Sequence, residues 1–291
     1  MRIASEHHDY KESIRGKVTT LIGPVFSGVS MSQINCYDYP QYWDLAFADE
    51  TAQECEFLIQ CLQKYVTGDV QRVLEPGCGG GRLVVALAAR GYDVTGYDLS
   101  QTAIDYLRQR LENAGLQANA IVADMQSFVA SPPVDIAINT VSTFRHLLTE
   151  QAAVAHLRVM AESIRPAGLY IIGMHLLPPD ADLEDEELWE AEDDSVKVIM
   201  QLTVAAASRE NRQEVLRFDM TVNEVEAQEG DPLQLSSEYP MRLYSATQIQ
   251  ELFSQVSEFE LIEVYDYWYD INEPQPLDDR LGDAVFVLRR R

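Results

Sequence analysis

From Val70 to His175 the chain alternates short apolar runs with stretches of helical period. Val70–Glu75, Asp93–Asp98, Ala118–Ala123, Val134–Asn139 and Leu169–His175 read as buried strands. Between them, Gly80–Arg90, Ser100–Ala114 and Thr149–Ile164 repeat apolar residues at helical spacing. Such alternation implies right-handed βαβ crossovers and a mostly parallel sheet with helices on both faces. Upstream, residues 55, 58, 59, 62, 65 and 66 are apolar and place a helix over Glu54–Val66. An aromatic segment, Cys36-Tyr-Asp-Tyr-Pro-Gln-Tyr-Trp-Asp44, precedes it.

The rhythm breaks after His175. Pro178-Pro179 opens a stretch from Asp180 to Asp194 in which ten of fifteen residues are acidic, predicted to be a solvated loop. Val196–Ala206 and Val215–Val225 alternate apolar and polar positions and should pair antiparallel through a turn near Glu210-Asn211. A strand over Glu238–Tyr244 leads to Ser245, where Gln248 completes a capping box for a further helix. Phe259–Tyr269 and Ala284–Arg290 read as two last strands joined by the polar loop 270–283. The expectation is an α/β core of seven strands with an antiparallel β insert after the fifth. Its divisions are an N-terminal helical and aromatic cap (1–66), a ligand-binding core (67–176), the acidic loop and insert (177–244), and a C-terminal return to the core (245–291).

Composition narrows the functional classes. The 291 residues include 22 basic and 47 acidic ones, a net charge of −25, with 46% hydrophobic residues, as in an ordinary folded protein. Nucleic acid is disfavoured as a partner, because phosphate binding needs a basic surface. No run approaches the roughly 20 apolar residues of a membrane span, and the mixed-charge N-terminus lacks the apolar core of a secretory signal. Cys36, Cys55, Cys61 and Cys78 form no C-x-x-C pair, so the expectation is reduced thiols in the cytoplasm and no metal site.

The segment Val73-Leu-Glu-Pro-Gly-Cys-Gly-Gly-Gly-Arg82 follows a strand and opens a helix. Gly77, Gly79 and Gly81 allow a tight turn and close approach of a ligand to the backbone, and the helix N-terminus adds free N–H groups. The dinucleotide fingerprint G-x-G-x-x-G fails, since Arg82 stands where its third glycine should be, and the phosphate-cradling G-x-x-x-x-G-K-[ST] is absent. That spacing argues against a nicotinamide oxidoreductase. Glu75, two residues before the first glycine, would repel a pyrophosphate and favours a ligand with a cationic group. Asp98 closes the second strand, where a carboxylate can accept ribose hydroxyls, and Asp124 closes the third, within reach of an adenine amine.

These residues resemble class I S-adenosylmethionine-dependent methyltransferases. The loop is similar to their E-x-G-x-G-x-G motif at Glu75, Gly77, Gly79 and Gly81, Asp98 to their ribose-binding acid, and Asp124-Met125 to their adenine-contacting pair. The resemblance covers 70–175 firmly and 240–291 loosely. It implies the Rossmann-like seven-stranded fold ending in an antiparallel strand. It implies S-adenosylmethionine as methyl donor, with contacts at Tyr37, Tyr42, Glu75, Gly77, Cys78, Gly79, Gly81, Asp98, Leu99, Asp124, Met125 and Asn139. Tyr37 and Tyr42-Trp43-Asp44 look like the aromatic segment that closes over the cofactor, and 196–244 resembles a flap over the acceptor site.

A sulfonium methyl transfer is an in-line displacement that rests on positioning and exclusion of water. An amine or hydroxyl acceptor must lose a proton, and His146, just past the fourth strand, is the candidate base, with helix packing or capping as its alternative role. His175, at the end of the fifth strand, could also point towards the site. His7, His8 and His156 read as surface or helix-face residues, and Cys78 as a small filler. The N-P-P-Y arrangement of amino-methylating DNA enzymes is absent after the fourth strand. The expected function is methyl transfer to N or O of a small molecule. The alternatives are a non-catalytic cofactor-binding scaffold or a protein methyltransferase. The long insert offers strand edges that could pair between subunits.

Overall fold

The computed structural model describes residues 35–224 and 231–291. His7 and His8 lie outside them. Two helices, α1 (Pro40–Ala46) and α2 (Thr51–Tyr65), precede the sheet. Strands β1 (Arg72–Pro76), β2 (Asp93–Asp98), β3 (Asn119–Val122), β4 (Val134–Asn139) and β5 (Ile164–His175) alternate with α3 (Arg82–Ala88), α4 (Gln101–Ala114) and α5 (Glu150–Ser163). Next come β6 (Glu186–Glu192), β7 (Val196–Ser208), β8 (Gln213–Glu224) and β9 (Leu233–Arg242). Helix α6 (Ala246–Ser254), β10 (Phe259–Tyr265) and β11 (Asp283–Arg290) complete the chain.

The main sheet has seven strands in the order β10-β11-β5-β4-β1-β2-β3. β11 runs antiparallel to both β5 and β10, while β1 to β5 pair parallel. Its two faces are buried because its strands are apolar on both. Val73, Val94, Ile136, Ile138, Ile171 and Val285 pack with Phe57, Leu58, Leu83, Val84 and Leu107 from α2, α3 and α4. Leu74, Ala137, Ile172 and Phe286 pack with Leu157, Met160, Ile249 and Phe253 from α5 and α6. Helix ends fall where the side chains can cap them. Ser100 accepts a hydrogen bond from the Ala103 amide, Thr149 from Ala152, and Ser245 with Gln248 forms the expected capping box.

A second sheet, β6-β7-β8-β9, is wholly antiparallel and follows β5. Its inner face holds Val198, Met200, Phe218, Met220 and Leu235, and Cys36, Tyr39, Tyr42 and Trp43 pack on that cluster. One expectation needs correction here. Residues 186–192 of the acidic stretch are not loop but the edge strand β6, paired along β7 from Glu186↔Thr203 to Glu192↔Lys197. Trp189 explains the difference: its indole Nε1 donates to the Ala46 carbonyl at 3.1 Å and its ring lies 5.6 Å from Phe47. Glu186 accepts from Gln201 Nε2 at 2.6 Å and Glu190 pairs with Lys197 at 2.8 Å, so the acidic segment is tied along β7 as well as anchored by its Trp. Strand β5 also begins five residues before the predicted Leu169, directly from the end of α5. β10 stops at Tyr265, and Tyr267 to Tyr269 lie in the following loop.

Candidate active site

The carboxyl ends of β1, β2 and β3 carry Glu75, Asp98 and, two residues beyond β3, Asp124. Glu75 is buried at 9% exposure, and its Oε2 has no hydrogen-bond partner. Burial raises its pKa to about 8, against the opposing field of Arg82. A buried carboxyl in that state is poised to ionise for a cation. Asn139 completes this end: its Nδ2 donates to the Pro76 carbonyl at 3.0 Å while its buried Oδ1 is unpartnered. Asp98 is held by the glycine loop, Oδ2 accepting from the Gly79 amide at 2.9 Å and Oδ1 from the Ser100 amide at 2.8 Å. Each oxygen keeps a lone pair for a ligand hydroxyl.

The loop fits a close backbone approach. Gly77, Gly79 and Gly81 all have positive φ. A Cβ on Gly77 would come 2.5 Å from the Thr143 methyl, one on Gly81 would overlap Leu107, and one on Gly79 would meet nothing within 4 Å. That open side at Gly79 faces space a ligand can occupy. Cys78 is buried, its amide donates to the Tyr97 carbonyl at 3.0 Å, and burial pushes its thiol well above the ordinary range. Leu99, by contrast, is 68% exposed immediately after Asp98, an apolar side chain on the surface. Asp124 accepts from the Gln126 amide at 2.8 Å. The neighbouring Met125 carbonyl receives the Nδ1 proton of His156 at 2.7 Å.

His156 is therefore neither a surface nor a solvent-facing residue. It is fully buried on α5, where Tyr170 Oη donates to Nε2 at 2.6 Å, and burial lowers its pKa to about 4. A neutral ring with Nδ1–H towards Met125 satisfies both bonds. Sequence periodicity placed it on the helix but carried no signal of this contact.

At the other end, Tyr37 and His146 meet, Tyr37 Oη lying 3.1 Å from His146 Nε2. The Tyr37 ring packs on Trp43 at 5.1 Å and Tyr239 at 4.2 Å, and its hydroxyl feels the charge of Asp98. His146 ends a 3-10 turn, Thr143–His146, and does not cap α5, whose cap is Thr149. Burial first, then Arg145, lower its pKa. Tyr42 stacks on Tyr39 at 5.8 Å against the second sheet. The structure thus brings Glu75, Gly77, Gly79, Asp98 and Asn139 to one loop cluster and Tyr37 to His146, and sets Tyr42 among the packing aromatics.

Two ion pairs around the loop had no sequence signal. Arg82 pairs with the fully buried Glu54 of α2 and donates to Thr51 Oγ1 at 2.9 Å. Arg110 pairs with Asp44 and donates to the Gly80 carbonyl at 2.9 Å. A Cβ on Gly80 would come 2.8 Å from the Asp44 carboxylate, so α1 can dock only over a glycine. Among the described residues there is no group of three or more potential metal ligands, and no helix is long and apolar enough to cross a membrane.

Comparison with known proteins agrees with this geometry. Residues 73–168 match the methyltransferase domain family. A ubiquinone biosynthesis O-methyltransferase of Azoarcus sp. (strain BH72) is 30% identical over 98 residues, covering 34% of this chain and 41% of that protein. The chain thus spans less than half the length of this curated relative. The fold is shared with a S-adenosylmethionine-dependent methyltransferase from Clostridium acetobutylicum ATCC 824 (TM-score 0.69, 13% identity, 88% of this chain and 99% of the other). It is shared too with CalS10, an amino pentose methyltransferase from Micromonospora echinaspora (TM-score 0.64, 16% identity, 91% and 100%). Residues 73–168 are thus the part of the chain matched to a methyltransferase domain, and the described chain shares the Rossmann-like fold of S-adenosylmethionine-dependent methyltransferases.

Proposed function

We propose that the protein transfers a methyl group from S-adenosylmethionine to a nitrogen or oxygen of a small molecule. The observation that carries this is the buried Glu75, whose Oε2 is unpartnered, beside a glycine loop and the loop-held Asp98. When bound, S-adenosylmethionine supplies an electrophilic methyl on a sulfonium. Glu75 and Asn139 would hold its amino-acid end, Asp98 its ribose hydroxyls, and Leu99, Asp124 and Met125 its adenine. The remaining loop contacts would come from Gly77, Cys78, Gly79 and Gly81, with Tyr37 and Tyr42 from the N-terminal aromatic segment closing over them.

On the acceptor side, Tyr37 and His146 border the reactive end, and for a hydroxyl acceptor His146 would take the proton through the Tyr37 hydroxyl. The second sheet, packed against that aromatic segment, would wall the acceptor pocket. The relatives' names cover both an O-methyltransferase and an amino pentose methyltransferase, so both acceptor atoms belong to the proposal. Buried free cysteines fit a reducing, cytoplasmic setting.

The test is incubation with methyl-labelled S-adenosylmethionine and a panel of small amines and phenols, followed by mass spectrometry. Label on a panel member and release of S-adenosylhomocysteine are expected. Binding of the donor without transfer to any member, or label only on protein, would contradict the proposal.

A further inference from the structure

A second histidine stands at the same edge of the sheet, better built for receiving a proton. His175 ends β5 directly opposite Asp283, the first residue of β11. Its Nδ1 lies 2.7 Å from Asp283 Oδ1, and its side chain is half exposed. The ring packs edge-on against Tyr267 at 5.2 Å. Strand alternation puts it on the face that β5 shares with Ile171, packed among α2 and α3, which is also the face of Val73 and Glu75 on β1. Between the two strands lies only β4, so Glu75 and His175 stand on strands about 10 Å apart across the sheet.

The ground between them is kept low and rigid. A Cβ on Gly173 would come 3.2 Å from the Tyr267 ring and 3.4 Å from Thr140 Cα. Ser142, at φ +59°, donates its amide to the Gly173 carbonyl at 3.0 Å, and its hydroxyl accepts from the His175 amide at 3.2 Å. The turn leading to His146 is thus stitched to the strand end carrying His175.

A general base must be able to carry the proton it takes. His146 has its Nε2 on the Tyr37 hydroxyl rather than on a carboxylate, and burial and Arg145 disfavour its cation, with only the charge of Asp98 opposing them. His175 has Asp283 on Nδ1, which fixes the tautomer with Nε2 as acceptor and stabilises the imidazolium that follows. Its other neighbours have the same sign. Glu50, in the turn before α2, interacts electrostatically with His175, with Glu54 of α2 and with Glu187 of β6. Of the positive charges near this end, Arg82 is already paired to Glu54, and Arg145, whose charge reaches Tyr267, is paired to Glu214. A field of that sign attracts an ammonium and repels a carboxylate or phosphate.

We propose that His175, oriented by Asp283, is the base that takes a proton from the ammonium group of a small amine acceptor. This rests on the methyltransferase reading above and narrows its acceptor to nitrogen. The ammonium has no lone pair until it loses one proton. That proton goes to His175 Nε2 while Nδ1–H stays on Asp283, and the exposed ring then passes it to water. The freed nitrogen lone pair forms the C–N bond as the donor's S–CH3 bond breaks, the sulfonium becoming a neutral thioether. The product leaves as a methylated ammonium, so a single deprotonation balances the reaction.

Two measurements test this on the full chain loaded with S-adenosylhomocysteine or S-adenosylmethionine. In the first, 15N imidazole resonances report which ring nitrogen carries the proton. His175 should hold it on Nδ1 with Nε2 bare, lose that preference in Asp283→Asn, and leave His146 unchanged. A His175 tautomer that is the same in wild type and Asp283→Asn would overturn the assignment. In the second, labelled methyl transfer to ethanolamine, glucosamine and benzylamine is compared with transfer to catechol. Transfer to an amine is expected, slowed about a hundredfold or more in His175→Gln and less in His146→Gln, with S-adenosylhomocysteine affinity kept within about twofold in both variants. Donor binding without transfer to any of the amines, transfer to catechol alone, or an unslowed His175→Gln would overturn it. Failure to bind the donor at all would instead sink the methyltransferase reading, with the imidazole tautomer still deciding the His175–Asp283 pair.

Discussion

A carboxyl buried with one oxygen unpartnered, as in Glu75, costs stability in the empty protein and is explained by what it is to receive. Its pKa of about 8 lies above the unfolded value of 4.5, so the folded chain holds the proton more tightly. The stability this group contributes is complete below about pH 4.5 and is lost as pH rises through 8. Two outcomes follow. Unliganded Glu75→Gln should melt higher than wild type at pH 8, seen by calorimetry. S-adenosylmethionine affinity should rise between pH 6 and 7.5 in wild type, by up to about tenfold per unit, and stay flat in the Gln variant. A flat wild-type profile would contradict a role for Glu75 in holding a cation. Glu75, Asp98 and Asp124 were legible in the sequence because strand ends and glycine spacing are local features. His175–Asp283, Arg110–Asp44 and Arg82–Glu54 were not, since their partners are 108, 66 and 28 residues apart. Nothing local marks an acid on a helix as buried.

The β insert is tied to the core by buried charge rather than by apolar contact alone. Arg145, 2% exposed, follows Phe144 in the turn after β4, donates Nε to the Arg242 carbonyl at 2.9 Å and pairs with Glu214 of β8. Arg242 reaches the Leu148 carbonyl at 2.8 Å, and Arg212 and Arg242 flank the Tyr244 ring at 5.3 and 5.5 Å. Removing one partner strands the other's charge in a site with little water. Arg145→Met should therefore destabilise by about 3–5 kcal/mol, and Glu214→Leu added to it should recover much of that. Urea melts of the two variants check this, and additive losses would contradict the coupling. The alternating apolar pattern predicted the pairing of β7 with β8, because period two is plain in 196–206 and 215–225. It missed β6, where acids outnumber apolar residues and one Trp anchors the strand.

The whole chain carries a net charge of −25, with 47 acidic residues against 22 basic ones. Self-repulsion on that scale destabilises the compact state, and salt relieves it. The melting temperature should rise between 10 and 200 mM NaCl, as the Debye length drops from about 30 Å to under 10 Å. A melting temperature unchanged by salt would show that the acids are locally compensated. A surface of that sign repels polyanions. The parallel core was legible across its length because βαβ alternation repeats there. The docking of the aromatic segment on the second sheet rests on contacts between Cys36–Phe47 and residues 189–239, beyond the reach of any local pattern.

The central claim is that Asp98 and the glycine loop hold S-adenosylmethionine. Calorimetric binding of S-adenosylhomocysteine to wild type and to Asp98→Ala, each shown folded by its melting curve, tests it most directly. The prediction is clear binding by wild type, weakened by about 1.5–3 kcal/mol in the variant, the range of hydrogen bonds to a charged group. No binding by folded wild type, or equal binding by both, would contradict it.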